Sequence, residues 1–252
     1  MRVFLTGASS GIGEALARHY AAQGATLGLV ARRGDRLEAL AATLPGRHVA
    51  YVLDVADAAA LQAAAADFNA GGLADIVIAN AGISVGTLAR EAEDLAALRR
   101  VFETNVIGMA NTMQPFVAPM SARGSGRLAG IASVAGIRGL PGAGAYTASK
   151  AATIAWLEAL RGELRDSGVK VVTIAPGYIA TPMTAVNSYP MPFLMPAEEA
   201  AWRFARAIAR GSSYTVIPWQ MGVVGKLLRL LPNPLFDAIF ARAGRKPRGL
   251  DL

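Results

Sequence analysis

Tyr146 and Lys150 stand four residues apart in Tyr146-Thr147-Ala148-Ser149-Lys150. On a helix that spacing puts a phenol and an ammonium on one face. A free phenol has a pKa of about 10. To exchange protons near neutrality it must lose roughly three units, or about 4 kcal/mol. One ammonium about 4 Å away, at an effective dielectric near 20, supplies energy of that order. Alone the pair proves little, because Tyr and Lys at this spacing are common. Three further polar signals accompany it: Ser133 just after an apolar run, Asn105 in Thr104-Asn105-Val106-Ile107-Gly108, and Asn80-Ala81-Gly82 after another apolar run. Taken singly, a helical Asn or a strand-end Ser is more often a cap or turn residue.

A second group sits near the start of the chain. Thr6-Gly7-Ala8-Ser9-Ser10-Gly11-Ile12-Gly13 joins a short apolar run to a helical pattern. Gly7 permits a tight turn, Gly11 lets backbone approach a pyrophosphate, and Gly13 allows close helix packing. The helix N-terminus offers free N–H groups and the positive end of its dipole to an anion. Glycines at a turn have a plainer use in the turn itself, but this one lies where dinucleotides bind. The second apolar run ends Leu29-Val30-Ala31-Arg32-Arg33. An NAD-preferring site commonly has an acidic residue here for the ribose hydroxyls. Here Ala31 stands in that place with Arg32 and Arg33 behind it. A guanidinium pairs bidentately with a 2′-phosphate, which predicts NADP(H) over NAD(H). The other reading is that the two arginines only cap a loop.

These residues need elements to place them. Apolar runs at 3–6, 26–31, 48–53, 75–79, 127–132, 170–175 and 214–217 alternate with helical periodicity at 11–23, 35–44, 57–69, 94–120, 146–166 and 197–210. Strands alternating with helices predict a Rossmann-like, doubly wound parallel seven-stranded sheet with helices on both faces, plus a basic C-terminal helical tail. Continuous apolar runs suit strands covered on both sides. The expected organisation is one NAD(P)-binding domain over 1–252, with a core at 1–217 and a basic extension at 218–252.

The chain has 252 residues, no cysteine, two histidines and a net charge of +7. That length buries a large core without disulfides or metal. Zero Cys excludes a Cys-based zinc site, an iron–sulfur cluster and a cysteine nucleophile. His19 and His48 alone make a histidine metal site improbable, so no metal is expected. From Gly222 to Leu252 six basic residues (Lys226, Arg229, Arg242, Arg245, Lys246 and Arg248) face two acidic ones, Asp237 and Asp251. The excess charge is therefore largely a property of the tail. No basic leader with a long apolar stretch opens the chain and no apolar run is long enough to span a bilayer, so a cytoplasmic location is expected.

With these residues in this order, the chain resembles the short-chain dehydrogenase/reductase family, in its single-domain form of about 250 residues. The resemblance covers roughly residues 1–217. It rests on the glycine turn at 6–13, Asp54-Val55, Asn80-Ala81-Gly82, Asn105, Ser133, Tyr146 with Lys150, and Pro176-Gly177 followed by Thr181. Many members have Asn before the Asn-Ala-Gly triplet, where this chain has Ala79. The resemblance implies hydride transfer between nicotinamide C4 and a carbonyl or alcohol carbon. It assigns Tyr146 as general acid in reduction and base in oxidation, Ser133 to the substrate oxygen, and Lys150 to the nicotinamide ribose. Asn105 would position a water linking Lys150 to solvent. Ser9, Ser10 and Ile12 belong to the phosphate turn. Asp54 would meet the adenine amino group with Val55 flanking the ring, although Asp54 also reads as a helix cap. Pro176, Gly177, Ile179 and Thr181 would close around the nicotinamide. A homodimer or homotetramer through the helices at 94–120 and 146–166 is implied as well.

Residues 182–195 carry no charge and offer Met183, Met191, Phe193 and Leu194. These are adaptable apolar walls, so an apolar or long-chain ketone is the expected small-molecule substrate. They would otherwise simply pack the segment down. The tail has Lys226 and Arg229 on one side of a helix, and Phe236, Ile239 and Phe240 on one side of the next. Packing within the protein or its oligomer is favoured over peripheral membrane contact. No motif for reading nucleic acid is present. Two alternatives remain to the ketone reductase: a 3-oxoacyl (carrier-protein) reductase, and a cofactor-binding protein without turnover. A sugar-nucleotide epimerase would need a larger C-terminal substrate domain.

Overall fold

The apolar run after Met1 becomes β1 (Arg2–Thr6), in which Val3, Phe4 and Leu5 have no exposed surface. The computed structural model describes residues 1–241 and 244–249. Arg242 and Asp251, counted above in the tail, lie outside the described residues. The next strands are β2 (Thr26–Ala31), β3 (His48–Val52), β4 (Ile76–Ala79), β5 (Gly126–Ile131) and β6 (Val169–Pro176). A two-residue pair, β7 (Ile179–Ala180) and β8 (Met195–Pro196), stands apart, and β9 (Tyr214–Ile217) completes the main sheet. The main sheet has seven strands in the order β3-β2-β1-β4-β5-β6-β9. Every neighbouring pair in it is parallel. The chain winds outward from β1 to β3, then returns to β4 on the other side. The strand order thus reverses between β1 and β4, and a crevice opens at their C-terminal ends.

Both faces are covered, which is why most strands are apolar throughout. On one face α1 (Gly11–Ala22), α2 (Gly34–Thr43) and α8 (Ala197–Arg210) bury Leu16, Tyr20, Leu37 and Phe204. On the other, α3 (Ala58–Ala70), α5 (Gly108–Arg123) and α6 (Gly144–Glu163) bury Phe68, Met113, Phe116 and Leu157. The edge strand β3 departs from this pattern, since Val49 and Val52 are exposed.

The expected helix over 94–120 is present and runs on to Arg123, but it widens to a π-helical turn in its middle. It consists of α4 (Asp94–Phe102), a π-helical turn (Glu103–Ile107) and α5. The wider turn carries Asn105, whose side chain is fully buried and bonded to Ile83 rather than lying along a regular helix face. The proline-rich segment is also partly ordered. Thr181 caps a short helix, α7 (Pro182–Ala185), through a reciprocal bond with Thr184, and Pro182 occupies its first turn.

After β9 the chain forms α9 (Trp219–Leu230) and α10 (Asn233–Phe240). Both are pinned to the segment that follows Ser133. Arg138 donates to the Leu228 carbonyl, to Leu231 O at 2.7 Å and to Asn233 Oδ1 at 3.0 Å. Its guanidinium also lies 3.9 Å from the centroid of the Phe236 ring. Phe236 is buried and stacks with Phe240, whereas Ile239 is exposed, so the expected three-residue apolar side is not a single buried face. Among the described residues, no helix is long and apolar enough to cross a membrane.

Candidate active site

Three glycines shape the turn after β1, each for its own reason. Gly7 has φ +70°, and a Cβ there would meet Ala81 Cα at 2.8 Å. A Cβ on Gly13 would lie 2.0 Å from the Gly7 carbonyl oxygen, so α1 can start this close to the turn only with glycine. Gly11 has φ +56° and faces Thr181, whose Cγ2 would be 3.0 Å from a Cβ. Thr181 therefore closes onto the turn from the far side of the crevice. Ser10 stands at the N-cap of α1 without capping it by side chain. The first-turn N–H groups thus lack that partner, and the turn fits a pyrophosphate on its backbone.

The Ser10 hydroxyl instead meets Arg33. Arg33 Nη2 donates to Ser9 Oγ at 3.0 Å and to Ser10 Oγ at 2.8 Å. Desolvation, then repulsion from Arg36 and Arg32, disfavours the Arg33 charge. An anion beside it would relieve both neighbours. Arg32 points to Asp54, at 3.8 Å. Asp54 accepts from Ala56 N at 3.0 Å and is paired more tightly with Arg100. Burial alone would raise the Asp54 carboxyl, but the Ala56 N–H and the Arg100 guanidinium outweigh it and hold it below its usual range. The cap of α3 is Asp57, which accepts from Ala60 N at 3.0 Å, so Asp54 does not serve as that cap. Arg100, near the end of α4, carries no motif that would have singled it out.

Asn80 is occupied structurally. Its Nδ2 donates to Thr6 O at 3.1 Å and to Gly7 O at 3.2 Å, tying the end of β4 to the turn. Asn105 Oδ1 accepts from Ile83 N at 2.8 Å, and Nδ2 donates to Ile83 O and Ser149 Oγ, both at 3.0 Å. It holds the chain just after Gly82. A Cβ on Gly82 would lie 3.2 Å from Asn105 Oδ1 and 3.6 Å from Lys150 Nζ.

Ser133, after β5, comes together with Tyr146 and Lys150 of α6. The Ser133 hydroxyl accepts from Ala135 N at 3.1 Å and neighbours the Tyr146 phenol. Lys150 Nζ donates to Ile131 O at 2.8 Å and lies 5.8 Å from the centroid of the Tyr146 ring. Burial pushes the Tyr146 phenol up, and the neighbouring Ser133 hydroxyl only partly opposes it. Lys150 is not among the groups that lower it in the free protein. Burial also brings Lys150 down from 10.5 to about 8.

One cleft of about 420 Å³ joins these parts. The residues expected to bind cofactor or carry the chemistry line it, except for Gly13 beneath the turn and Asn105 behind Ile83. Pro176, Gly177, Ile179 and Thr181 close one side, and Val55, Ala81 and Ile12 are present in the wall. Ser84, Thr184 and Val186 also line it and were not anticipated. Of the four apolar anchors expected there, only Met183 does so; Phe193 is 51% and Leu194 47% exposed. Those two turn outward because the chain between α7 and β8 must bend back, with Phe193 at φ +57°.

Comparisons over the whole chain show its family. The family model for short chain dehydrogenase matches residues 1–190. An uncharacterized oxidoreductase of Myxococcus xanthus is 40% identical over 243 residues, covering 94% of this chain and 95% of that protein. A 3-oxoacyl-[acyl-carrier protein] reductase from Brucella melitensis, solved with bound NAD, matches at TM-score 0.75 and 31% identity, covering 86% of this chain and 88% of that one. A short-chain dehydrogenase from Streptomyces avermitilis matches at TM-score 0.79 and 28% identity, covering 95% and 94%. The chain belongs to the short-chain dehydrogenase/reductase family of nicotinamide-dependent oxidoreductases.

Proposed function

We propose that the protein is an NADP(H)-dependent reductase of an apolar ketone, acting reversibly on the corresponding secondary alcohol. The observation that carries this reading is the convergence of Ser133, Tyr146 and Lys150 in one cleft with the glycine turn and Arg33. When bound, the nicotinamide supplies the hydride that reduces the carbonyl carbon. The Ser133 hydroxyl donates to the carbonyl oxygen and stabilises charge developing there. The Tyr146 phenol gives that oxygen its proton. Burial keeps the phenol protonated, which suits an acid in the direction of reduction. The Lys150 ammonium holds the ribose and favours the transient phenolate. Asn105, through its bonds to Ile83, fixes the wall at Gly82 beside that ammonium.

The NADP(H) preference is supported by Arg33, held over Ser9 and Ser10 under repulsion from its cationic neighbours. Asp54 does not offer a free carboxylate, since Arg100 and Arg32 neutralise it. Met183 and Val186 in the cleft support an apolar substrate. A homodimer or homotetramer is in keeping with Leu95, Leu98 and Ile107, which are exposed on the helical region at 94–107. The similarity to the Brucella reductase favours 3-oxoacyl reduction as the second reading. Steady-state consumption of NADPH and NADH with ketones of increasing chain length tests both. NADPH turnover that rises with chain length supports the first, and turnover confined to 3-oxoacyl thioesters supports the second.

A further inference from the structure

Residues 244–249 leave the tail helices and run back to the mouth of the substrate cleft, where they touch segments from both of its sides. On the lid side, a Cβ on Gly244 would lie 2.6 Å from Tyr189 Cβ, and Lys246 Nζ donates to Met183 O at 2.9 Å. Met183 lines the cleft. On the opposite side, Gly86 N donates to Pro247 O at 2.9 Å, two residues beyond Ser84 of the cleft wall. Arg248 then clasps Asp94 at 2.8 Å and Glu93 at 3.0 Å.

Two glycines make room for this passage. A Cβ on Gly86 would lie 2.1 Å from Lys246 O, and one on Gly142 would lie 2.8 Å from Arg245 Cγ. Main chain thus crosses main chain at Gly86, which a loosely draped tail does not require. The anchors are weak individually: exposed ion pairs, one backbone bond and one bond to a carbonyl. A segment held this way can lift and reseat.

The geometry points to residues 244–249 as a strap that bridges the two sides of the cleft mouth, from Met183 to Gly86, and determines which substrates reach Tyr146. The inference rests on the reductase reading above and narrows its substrate class. With the strap seated, the cleft takes a free apolar ketone. A carbonyl tethered to a carrier protein enters only when the strap lifts. The relevant selectivity lies in Gly86, Gly142 and Arg248, none of which touches the reacting groups.

The test compares the full chain, Gly86→Ala, and a chain ending at Ala241. Gly86 has no strained φ, so alanine there displaces the strap and leaves its own backbone unstrained. Each protein is loaded with NADPH, or with NADH if that binds better, and the bound nicotinamide fluorescence is quenched with acrylamide. The strap predicts that quenching rises severalfold in both variants while cofactor affinity is unchanged. It also predicts that kcat/KM for an acetoacetyl carrier protein rises relative to free ethyl acetoacetate. Equal quenching in all three proteins, with cofactor bound, overturns the strap and leaves the reductase reading standing. Failure of the full chain to bind either cofactor overturns the reductase reading and the strap with it.

Discussion

Arg33 donates from Nη2 to the Ser10 hydroxyl at 2.8 Å, so the end of β2 is tied across to the turn after β1. The bond places a guanidinium beside the N-terminus of α1, two cationic features on one anion site. A charge-assisted bond of this kind is worth about 1.5–3 kcal/mol. Arg33→Ala is expected to weaken NADPH binding by about 10- to 100-fold on that basis, with little effect on NADH. Arg32→Ala should cost less, because Arg32 already faces Asp54. Fluorescence titration of both cofactors checks this, and equal losses for NADPH and NADH would remove the 2′-phosphate from the account.

Lys150 is held charged at a cost to the fold. Its folded pKa, about 8, lies below the ordinary 10.5. Below pH 8 both folded and unfolded states carry the charge, and the folded state bears the full burial penalty. Between pH 8 and 10.5 the unfolded chain holds more protons, so this residue makes stability rise with pH. Lys150→Met is therefore expected to stabilise the protein at pH 7 by about 1–3 kcal/mol, after loss of the bond to Ile131 O. The gain should disappear above pH 10.5. Urea unfolding across that range checks it, and a variant less stable than the parent at pH 7 would show that burial is not the dominant cost.

The same group is expected to set the pH dependence of the proposed reaction. The Tyr146 phenol stays protonated through neutrality, while Lys150 loses its charge as pH rises through about 8. Reduction is expected to fall above that pH. A plot of kcat/KM for ketone against pH measures it, and a rate that climbs steadily to pH 10 would contradict the assignment.

Much of this arrangement was legible in the residues. The strand at 26–31 and the helix at 197–210 agree with the structure end for end, because unbroken apolar runs and regular periodicity are local signals. Gly13 was also legible, since a turn that packs a helix this closely has no room for a Cβ. Long-range partners were not. The widening at Asn105 depends on Ile83, twenty-two residues away, and a single-helix reading of 94–120 could not register it. The pairing of Arg100 with Asp54 and of Arg248 with Asp94 joins positions 46 and 154 residues apart. The apolar run at 191–195 looked like a cleft wall, but backbone geometry turns Phe193 and Leu194 outward.

Asn105 is a positioning residue rather than one that touches substrate. Asn105→Ala leaves the Ile83 N–H and C=O and the Ser149 hydroxyl without this partner. Ser149 Oγ keeps its bond to Tyr146 O, so two groups, the Ile83 N–H and C=O, are left unsatisfied. At about 1–3 kcal/mol for each, a loss of about 2–6 kcal/mol in unfolding free energy is expected. Chemical denaturation measures it, and a loss below about 0.5 kcal/mol, the scale of a neutral surface change, would mean the π-helical turn does not depend on these bonds.

The central claim is that Tyr146 delivers the proton in a nicotinamide-dependent carbonyl reduction. The most direct test is NADPH consumption by the full chain and by Tyr146→Phe on one ketone that the full chain turns over, with cofactor affinity measured in both. The account predicts that the variant binds NADPH as the parent does and that its kcat falls by about 100-fold or more, the scale of a lost general acid. A variant that keeps most of its turnover would contradict the account.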